Sequence, residues 1–584
     1  MTGKVHDSDG FDAAVDLLVF GSGAAGLSAA LFAEINGLKS LLCEKSDCLG
    51  GTTASSGGIF WIPGNPHADA HSDTSDAARD YLKSELGNNY RSDLAEAFLE
   101  SAPAAIERLE SESDVKFHAV PWPDYHCENT GGVSSGRTIE AERFDARKLG
   151  DDFGLVQPPY PFLMLFGGMH VDKRKVDTIL NPFRSVGNFL QVMGMFLRYG
   201  MDRLKYERGT DIGAGNALVA RYLYSLRHRK ADIWTNAPLK ELIVENRRVT
   251  GAIVTREGRT LKVGARYGVV LATGGFAHNE QLRDELSAQF PHEISFASPG
   301  NTGDGISAGR VVGGAIDSDL GSSGYWQPAS GKLREDGTFE GVMYGYLDRG
   351  RPGVIAVDKD GRRFVNEANS YHDVAMAMFG AGFGKGNYFH FVCDREFVWH
   401  HGLGKIRPFR RSLRKHAETG YVTVADTLES LAEKIAVDPN GLMQTVERHN
   451  RFCVTGIDED FGKGSTTYNR QFAHSRAKPN GNLAPIAKPP FVALKIYPAT
   501  LGTAVGLDTD KDGRVRDRNG HAIEGLYACG NDGASVMRGN YPSGGITLGP
   551  AIAFAYRIAE HARRKKTTAD VHAAGAPNCR GGDQ

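Results

Sequence analysis

Short apolar runs, each followed by glycine, occur near the beginning, the middle and the end of the chain. Residues 17–20 (Leu-Leu-Val-Phe) form a continuous apolar run, which predicts a strand buried on both faces. Residues 41–44, 269–272 and 525–529 predict further strands of this kind. Strands that alternate with helical segments in this way predict an α/β fold.

Other segments have helical or hairpin patterns. Residues 75–112 have helical spacing, and a further helix is expected to begin at about residue 211. Residues 239–245 and 249–254 predict a hairpin-like pair of strands. Residues 113–184 are rich in proline, glycine and aromatics, so we expect irregular structure with short strands there.

Three glycines follow the first predicted strand at the spacing of a dinucleotide-binding turn. Gly21 permits the tight turn, Gly23 lets a pyrophosphate approach the backbone, and Gly26 lets the next helix pack on the strand. The phosphates are expected at the positive N-terminus of that helix. Glu44 ends the second strand, where it can accept hydrogen bonds from a ribose. The predicted binding residues here are Gly21, Ser22, Gly23, Ala24, Ala25, Gly26, Glu44 and Lys45.

The residues after Glu44 favour FAD over NAD as the dinucleotide. Residues 50–58 are mostly small or carry hydroxyl groups, which suits close approach of a flavin ring and a pyrophosphate. Residues 269–276 and 525–551 also run from a strand into glycine turns, and the second of these segments opens a helix that would point at the flavin. Three such segments are typical of large flavoprotein oxidoreductases. The further predicted FAD-binding residues are Gly51, Thr52, Thr53, Ser56, Gly57, Gly58, Thr273, Gly274, Gly275, Asn301, Asp304, Gly530, Asn531, Gly545, Thr547 and Leu548.

The chain, with 584 residues, is long enough for more than one domain. We predict a Rossmann-like FAD-binding domain of the glutathione-reductase type, whose first part is 1–304 and whose second part is 493–565. Residues 305–492 are predicted to be an inserted α+β catalytic domain. The polar residues 566–584 are expected to form a disordered tail.

Charge and cysteine content narrow the classes of function. A net charge of −2 argues against nucleic-acid binding, which needs a basic face. The 7 cysteines have no metal-ligand spacing, so we predict no metal, and buried free thiols favour a cytoplasmic location. The N-terminus does not have the pattern of a signal peptide, and no run of about 18 apolar residues predicts a transmembrane helix.

Residues 186–205 have two interpretations. Their apolar positions follow helical spacing, and basic residues lie alongside. The helix could pack on the rest of the domain, or it could lie on a membrane surface. The second interpretation would suit an enzyme that takes a lipid-like substrate, and it would make the protein membrane-associated.

Several motifs taken together make the chain resemble the fumarate reductase and succinate dehydrogenase flavoproteins, and within that group the 3-ketosteroid dehydrogenases. The resemblance extends from about residue 15 to about residue 562. Its motifs are specific in combination and weak singly. The segments most similar to the steroid branch are 151–159, 165–169, 215–221, 361–367 and 540–545.

The resemblance implies dehydrogenation of a carbon–carbon bond beside a ketone. This reaction needs a donor that polarises the carbonyl, a base that takes the α-proton, and flavin N5 as acceptor of the β-hydride. The Tyr-Pro-x-x-Gly pattern implies that the phenol of Tyr541 and the backbone N–H of Gly545 hold the ketone oxygen. Ser543 replaces a commoner glycine in this turn and could add a donor or change the regiochemistry.

The family uses a tyrosine as the base. Tyr371 is the predicted base, because of its spacing ahead of Tyr541 and its place after the motif at 361–367. Tyr125 resembles the supporting tyrosine that relays the proton. The alternative bases are Tyr325, Tyr344 and Tyr346.

This chain lacks residues that bind FAD or the substrate in succinate dehydrogenases and fumarate reductases. Succinate dehydrogenases attach FAD through a histidine, and Gly51 stands at that position, which predicts noncovalent FAD. Fumarate reductases bind a dicarboxylate through histidine and arginines, and residues 497–506 contain no histidine and no charge. Arg538 could still hold a carboxylate, which keeps that alternative open.

The predicted function is therefore FAD-dependent dehydrogenation of a 3-ketosteroid or a similar hydrophobic cyclic ketone, at Δ1 or at Δ4. The alternatives are a flavin reductase or dehydrogenase of a carboxylate-bearing alkene, and an electron carrier with no substrate of its own. We see no second nicotinamide-binding fold, so a quinone or another carrier is the expected electron acceptor. The regiochemistry and the oligomeric state stay open.

Overall fold

The computed structural model describes residues 10–68, 73–160, 164–170, 178–179, 182–292, 294–333, 339–343, 348–384 and 386–575. Its strands are β1 (Ala13–Phe20), β2 (Ser40–Cys43), β3 (Ile59–Trp61), β4 (Phe117–Ala119), β5 (Thr138–Ala141), β6 (Phe144–Asp145), β7 (Met164–Leu165), β8 (Met169–His170), β9 (Asp211–Ile212), β10 (Asp232–Trp234), β11 (Leu239–Glu245), β12 (Arg248–Arg256), β13 (Arg259–Leu271), β14 (Ile294–Ser295), β15 (Ile316–Asp317), β16 (Gly324–Leu333), β17 (Phe339–Met343), β18 (Val354–Val357), β19 (Phe389–Asp394), β20 (Val422–Ala425), β21 (Phe491–Thr503), β22 (Gly506–Leu507), β23 (Arg514–Arg516) and β24 (Ala522–Ala528).

The described helices are spread along the whole chain. They are Ala24–Ile35, Gly51–Ser55, Ser75–Leu86, Ser92–Glu112, Val186–Asp202, Ala214–His228, Glu280–Leu286, Asp304–Val311, Tyr371–Gly380, Arg395–His401, Arg414–Glu418, Leu428–Lys434, Pro439–Thr455, Thr467–Arg470 and Leu548–Gly575. Short 3₁₀ segments cover Gly87–Asn89, Ala146–Leu155, Pro182–Arg184 and Gly530–Asp532.

The first sheet is the predicted nucleotide-binding sheet. β1 pairs in parallel with β2 and β13, and β13 pairs in parallel with β24. Phe20 lies opposite Cys43 and Leu271, and Leu271 lies opposite Ala528. The carboxyl ends of these strands therefore meet at one edge, and the three predicted glycine turns all leave from it. Ligands of open parallel sheets bind at such an edge. The fold is α/β, as predicted, and the hairpin of β11 and β12 is antiparallel.

The second sheet is built around β21. β16, β19 and β20 pair with this strand in antiparallel fashion, and β14 pairs with it in parallel. β21 runs from Phe491 to Thr503, so the chain returns to the first sheet after Thr503 and not at the predicted position 493. The sequence of this strand is as apolar as the flavin-domain strands, and only its partners reveal where it belongs.

The C-terminal helix is longer than predicted. It runs from Leu548 to Gly575 and so continues past residue 566, where we expected a disordered tail. Lys566 Nζ donates to Gly37 O at 2.8 Å, and Lys565 pairs with Glu524. Alanine and lysine favour helices, which explains the extension. Residues 576–584 lie outside the described ranges.

The segment with two interpretations forms the helix Val186–Asp202, with Ser185 as its N-cap. The buried residues of this helix are Val192 and Asp202. Within the described ranges, every helix is too short or too polar to cross a bilayer. Eight large apolar side chains on or beside this helix are exposed: Phe183, Val186, Phe189, Leu190, Met193, Leu197, Met201 and Leu204.

Candidate active site

The first glycine turn has the geometry that dinucleotide binding requires. Gly21 has φ 98°, and an added Cβ would lie 2.2 Å from Ala272 O. A Cβ on Gly26 would lie 1.8 Å from Gly21 O, so only glycine lets the helix approach this turn. A Cβ on Gly23 would have only Thr53 Oγ1 nearby, at 3.6 Å, which leaves space beside the helix N-terminus. That space fits the predicted pyrophosphate position.

Glu44 lies beside this turn and is nearly buried. Its Oε2 accepts hydrogen bonds from Ser22 N (3.0 Å) and Ser22 Oγ (2.6 Å), and its Oε1 accepts from Ser46 N (2.9 Å) and Ser46 Oγ (2.8 Å). The carboxylate therefore orders this turn, and its contact with a ribose stays a prediction. The neighbouring Lys45 Nζ donates to Thr302 Oγ1 (2.6 Å) and Asp304 Oδ2 (2.8 Å).

The small-residue segment packs closely on its surroundings. Gly51 begins the helix Gly51–Ser55, and the nearest atom to a Cβ on it would be Ser298 Cβ at 4.0 Å. Thr52 Oγ1 accepts from Ser298 N (2.8 Å), and Thr53 Oγ1 accepts from Ala24 N (2.9 Å). A Cβ on Gly58 would lie 2.4 Å from the carbonyl carbon of Ala214. Ser56 Oγ donates to Thr53 O at 2.8 Å. Gly57 lies between the helix Gly51–Ser55 and β3.

The second and third glycine turns pack against each other. A Cβ on Gly274 would lie 2.8 Å from Asn301 Oδ1, and one on Gly275 would lie 3.1 Å from Asn531 Cβ. Gly530 similarly approaches Ala25, with 2.9 Å from its added Cβ to Ala25 Cβ. The three turns thus form one continuous surface.

Asp532 holds two of these turns together, although we did not predict it as a site residue. Its carboxylate accepts from Thr273 N (2.6 Å) and Gly275 N (2.9 Å). Burial raises its pKa, and the hydrogen bonds from Thr273 and Gly275 oppose that effect. The feature of the sequence that could have identified Asp532 as a site residue is its position directly after Gly530 and Asn531 in the third glycine turn.

Tyrosines from both halves of the chain meet beside these turns. The ring of Tyr541 lies 5.7 Å from that of Tyr125 and 5.0 Å from that of Tyr371, between ring centroids. Tyr325 packs edge-on against Tyr541 at 5.5 Å, and its hydroxyl bonds to Ser535 Oγ. All four tyrosines are buried. The predicted base, the predicted carbonyl donor and the predicted relay are therefore in contact, and Tyr344 and Tyr346 lie outside the described residues.

The turn that carries Tyr541 is anchored on several sides. Tyr125 N and Tyr81 Oη donate to Pro542 O at 2.8 and 2.7 Å. Ser543 is buried, and its hydroxyl donates to Pro123 O at 3.4 Å, so it ties this turn to the loop of Tyr125. Gly545 has φ 95°, and its carbonyl accepts from Gly549 N at 3.0 Å. Thr547 is the residue directly before the helix that begins at Leu548.

The environment keeps the phenol of Tyr541 protonated. Burial raises the pKa of Tyr541 to about 12, and a hydrogen bond from Tyr371 opposes this rise. His372 lies 5.5 Å from the ring of Tyr541 and accepts from Trp326 N at Nδ1 (3.2 Å). Burial lowers the pKa of His372 to about 4, so this imidazole is neutral near pH 7. Tyr541 can therefore donate a hydrogen bond.

A buried ionic network holds the segment before Tyr371. Arg363 donates to Glu367 and Asp458, with Nη2–Oε2 and Nη1–Oδ1 distances of 2.9 and 2.8 Å. Lys463 Nζ lies 3.3 Å from Glu367 Oε2. Arg349 Nη1 donates to Glu367 O at 2.7 Å. These charged residues of and around the motif at 361–367 were not predicted as site residues from the sequence.

Arg538 does not lie open for a substrate carboxylate. Its Nη2 donates to Asp317 Oδ1 (3.1 Å) and to Asp319 O (2.6 Å). Both Nη atoms are therefore already paired and the side chain is buried, which weakens the fumarate-like alternative.

Comparisons with known proteins agree with this geometry. The chain matches the FAD binding domain family over residues 16–548. It is 37% identical to a 4-oxocyclohex-2-ene-1-carboxylate 5-dehydrogenase of Sinomonas cyclohexanicum, over 94% of each chain. It is 35% identical to a 3-oxosteroid 1-dehydrogenase of Mycolicibacterium smegmatis, over 93% of this chain and 96% of that one.

A solved structure extends the comparison to the fold. The crystal structure of 3-ketosteroid delta1-dehydrogenase from Sterolibacterium denitrificans, in complex with 1,4-androstadiene-3,17-dione, is similar with a TM-score of 0.85 and 36% identity. The match covers 94% of this chain and 100% of that one. The chain belongs to the FAD binding domain family. It is an FAD-dependent oxidoreductase related over most of its length to 3-ketosteroid dehydrogenases, which confirms the resemblance, the fold and the cofactor predicted from the sequence.

Proposed function

We propose that this protein dehydrogenates a 3-ketosteroid beside its ketone and forms the C1–C2 double bond (Δ1); a Δ4 product is the alternative. The observation that carries the proposal is the contact of Tyr541 with Tyr371 and Tyr125 in one buried cluster beside the glycine turns. The relatives named for steroid dehydrogenation support the same substrate class.

Each residue has a separate task in this proposal. Tyr541 and the N–H of Gly545 polarise the ketone and stabilise the enolate that forms. Tyr371 takes the α-proton as a phenolate, after its own proton has left through Tyr125, whose ring centroid lies 5.7 Å from that of Tyr371. The substrate loses this proton and a β-hydride, which leaves the conjugated double bond. When bound in the glycine turns, FAD supplies N5 as the hydride acceptor.

A second candidate substrate is a smaller ring ketone that carries a carboxylate. It is favoured by the 37% identity to the Sinomonas cyclohexanicum enzyme. Arg538 argues against it, because its partners are already Asp317 and Asp319. An anaerobic titration separates the candidates: a 3-ketosteroid should bleach the oxidised flavin at low concentration, and 4-oxocyclohexanecarboxylate and succinate should not. The reverse order would refute the steroid proposal.

We also propose that the apolar helix Val186–Asp202 rests on a membrane surface. The proposal is supported by its exposed side chains, such as Leu190 (62% exposed) and Leu197 (64%). Arg184, Arg203 and Lys205 lie at its ends, where they could meet anionic headgroups. Such a site would give access to a steroid and to a quinone-type electron acceptor in the lipid.

A further inference from the structure

His126 lies between two carboxylates, directly after the predicted relay Tyr125. Its Nδ1 is 2.7 Å from Glu85 Oε2, and its Nε2 is 3.0 Å from Asp373 Oδ2. A neutral imidazole has only one N–H, so one of its nitrogens would face a carboxylate as an acceptor. Two donated bonds require the imidazolium. His126 is therefore a cation held by two anions.

This cation joins three separate parts of the fold. Glu85 belongs to the helix Ser75–Leu86, and His126 belongs to the loop that carries Tyr125. Asp373 lies in the first turn of the helix that begins at Tyr371, where its N–H donates to Ser370 Oγ at 3.1 Å. The bond between His126 and Asp373 thus connects the loop of Tyr125 to the first turn of the helix that begins at Tyr371.

We propose that His126 is a positioning residue, which clamps the loop of Tyr125 against the helix of Tyr371 so that base and relay stay in contact. The clamp rests on the roles given to these tyrosines under the proposed function. It does not touch the substrate. Its effect is to keep the two rings at the observed centroid distance of 5.7 Å.

The charges around His126 favour the clamped state. Burial alone would lower the pKa of His126, but the bonds and charges of Asp373 and Glu85 outweigh it and raise that pKa to about 11. Burial would raise the pKa of Asp373, but the bond to His126 lowers it. His372, on the same helix, is neutral near pH 7. The clamp therefore stays charged across the neutral and mildly alkaline range.

The experiment compares His126→Gln and Asp373→Asn with a matched control. His67 Nε2 lies 3.1 Å from Glu110 Oε1, so His67→Gln breaks a similar pair that has no part in the site. Each variant is purified with FAD, and turnover of a 3-ketosteroid, KM and solvent exchange of the α-hydrogen are measured. A small misplacement of reacting groups costs about 10- to 100-fold.

We expect His126→Gln and Asp373→Asn each to lower kcat and α-exchange by about 10-fold or more, with KM and FAD content nearly unchanged. The double variant should be no slower than the slower single one, because both break the same clamp. His67→Gln should resemble the wild type. Because the clamp stays charged across the neutral and mildly alkaline range, kcat of the clamp variants should fall by a similar factor throughout that range.

Normal kcat in the two clamp variants would overturn the proposal, and so would a loss confined to KM or to FAD content. If His126→Gln fails to fold, Asp373→Asn decides alone, because it keeps the bond between His126 and Glu85. Tyr371→Phe separates the two levels of the argument. If Tyr371→Phe is slow and the clamp variants are normal, only the clamp proposal is rejected. If Tyr371→Phe is fully active, the assignment of Tyr371 as the base is rejected.

Discussion

The ring of Tyr371 meets the ring of Tyr541 edge to face, with centroids 5.0 Å apart and planes at 77°. Burial raises the pKa of Tyr541, and Tyr371 opposes that rise. Tyr371 begins a helix beside the second sheet, and Tyr541 lies in the turn before the last helix. Because the two groups meet, proton removal and carbonyl polarisation can act on neighbouring atoms of one substrate.

The absence of a histidine at position 51 predicts how FAD is held. The purified protein should be yellow, and acid precipitation should release all of its FAD into the supernatant. Absorbance of the supernatant and of the washed pellet measures this directly. Flavin that stays with the pellet would show a covalent link, and the assignment of Gly51 to that position would then be wrong.

Glu44→Ala should weaken FAD binding while the fold survives. The variant loses a charged acceptor for the ribose and releases Ser22 and Ser46, and one charge-assisted hydrogen bond contributes roughly 1.5–3 kcal/mol. The Kd for FAD should therefore rise by about 10-fold or more. Fluorescence titration of the apoprotein gives the value.

Glu34→Ala is the matched control for Glu44→Ala. Glu34 Oε1 accepts from Ser40 N (2.8 Å) and Ser40 Oγ (2.7 Å), so its loss also frees a serine beside β2. It is not a predicted FAD ligand. Equal losses of FAD affinity in the two variants would show that Glu44 acts only through the fold.

Glu367→Gln should destabilise the protein by about 3–5 kcal/mol, because it leaves the buried cations Arg363 and Lys463 without this partner. Burial opposes the charge of Glu367, but its cationic neighbours outweigh that effect and lower its pKa to about 2. Urea unfolding near pH 7 measures the difference. Glu433→Gln, on the exposed surface, is the control.

The same variant predicts a dependence on pH. The folded pKa of Glu367 lies below its unfolded value of about 4.3. Its contribution is therefore complete above that value and is lost as the pH falls toward about 2. The stability gap between wild type and Glu367→Gln should be constant from pH 6 to 8 and should shrink below about pH 4.3. A gap that grows in acid would contradict the network.

Replacing Leu190 and Leu197 by glutamate should abolish binding to vesicles. A buried leucine contributes roughly 1.5–3 kcal/mol, so each change should cost about 10-fold or more in partitioning. Sedimentation with phosphatidylcholine vesicles containing phosphatidylserine measures the bound fraction. Val454→Glu is the control, because Val454 is also exposed (81%) but lies on another helix. If the wild type does not bind, the membrane proposal fails.

Local patterns were enough to predict the nucleotide-binding edge. The glycines at 21 and 26 have geometry that other residues could not adopt, and the hydrophobic runs become parallel strands. The cofactor followed from these features, and the family followed from the resemblance carried by the motifs at 151–159, 165–169, 215–221, 361–367 and 540–545. Such patterns involve residues that are close together in the sequence, so they can be recognised without knowledge of long-range contacts.

Long-range partners could not be predicted in this way. β21 is apolar like the flavin-domain strands, and only its pairing with β16 and β19 assigns it to the second sheet. His126 and Asp373 are likewise far apart in the chain, and nothing around either residue indicates the other. The roles of Tyr125, Tyr371 and Tyr541 were predicted from the resemblance, whereas their contact and the part played by Asp532 needed the folded chain to be recognised.

The donor role of Tyr541 predicts a defined loss of rate. Tyr541→Phe removes the phenol but keeps the ring that packs on Tyr125. An oxyanion donor of this kind contributes about 10²–10³ in rate, so flavin reduction by a 3-ketosteroid should slow by that factor. FAD content should not change. A stopped-flow rate within a few-fold of wild type would show that another group holds the ketone.

The most direct test of the whole account is solvent deuterium exchange at the α-carbon of a 3-ketosteroid, measured with anaerobic flavin bleaching in Tyr371→Phe. We predict that both fall by at least the factor found for Tyr541→Phe, about 10²–10³, with FAD content unchanged. The double variant should lose less than the product of the two single losses, because both residues serve one step. Full exchange and full bleaching in Tyr371→Phe would contradict the account, and Tyr325 would then be the next base to test.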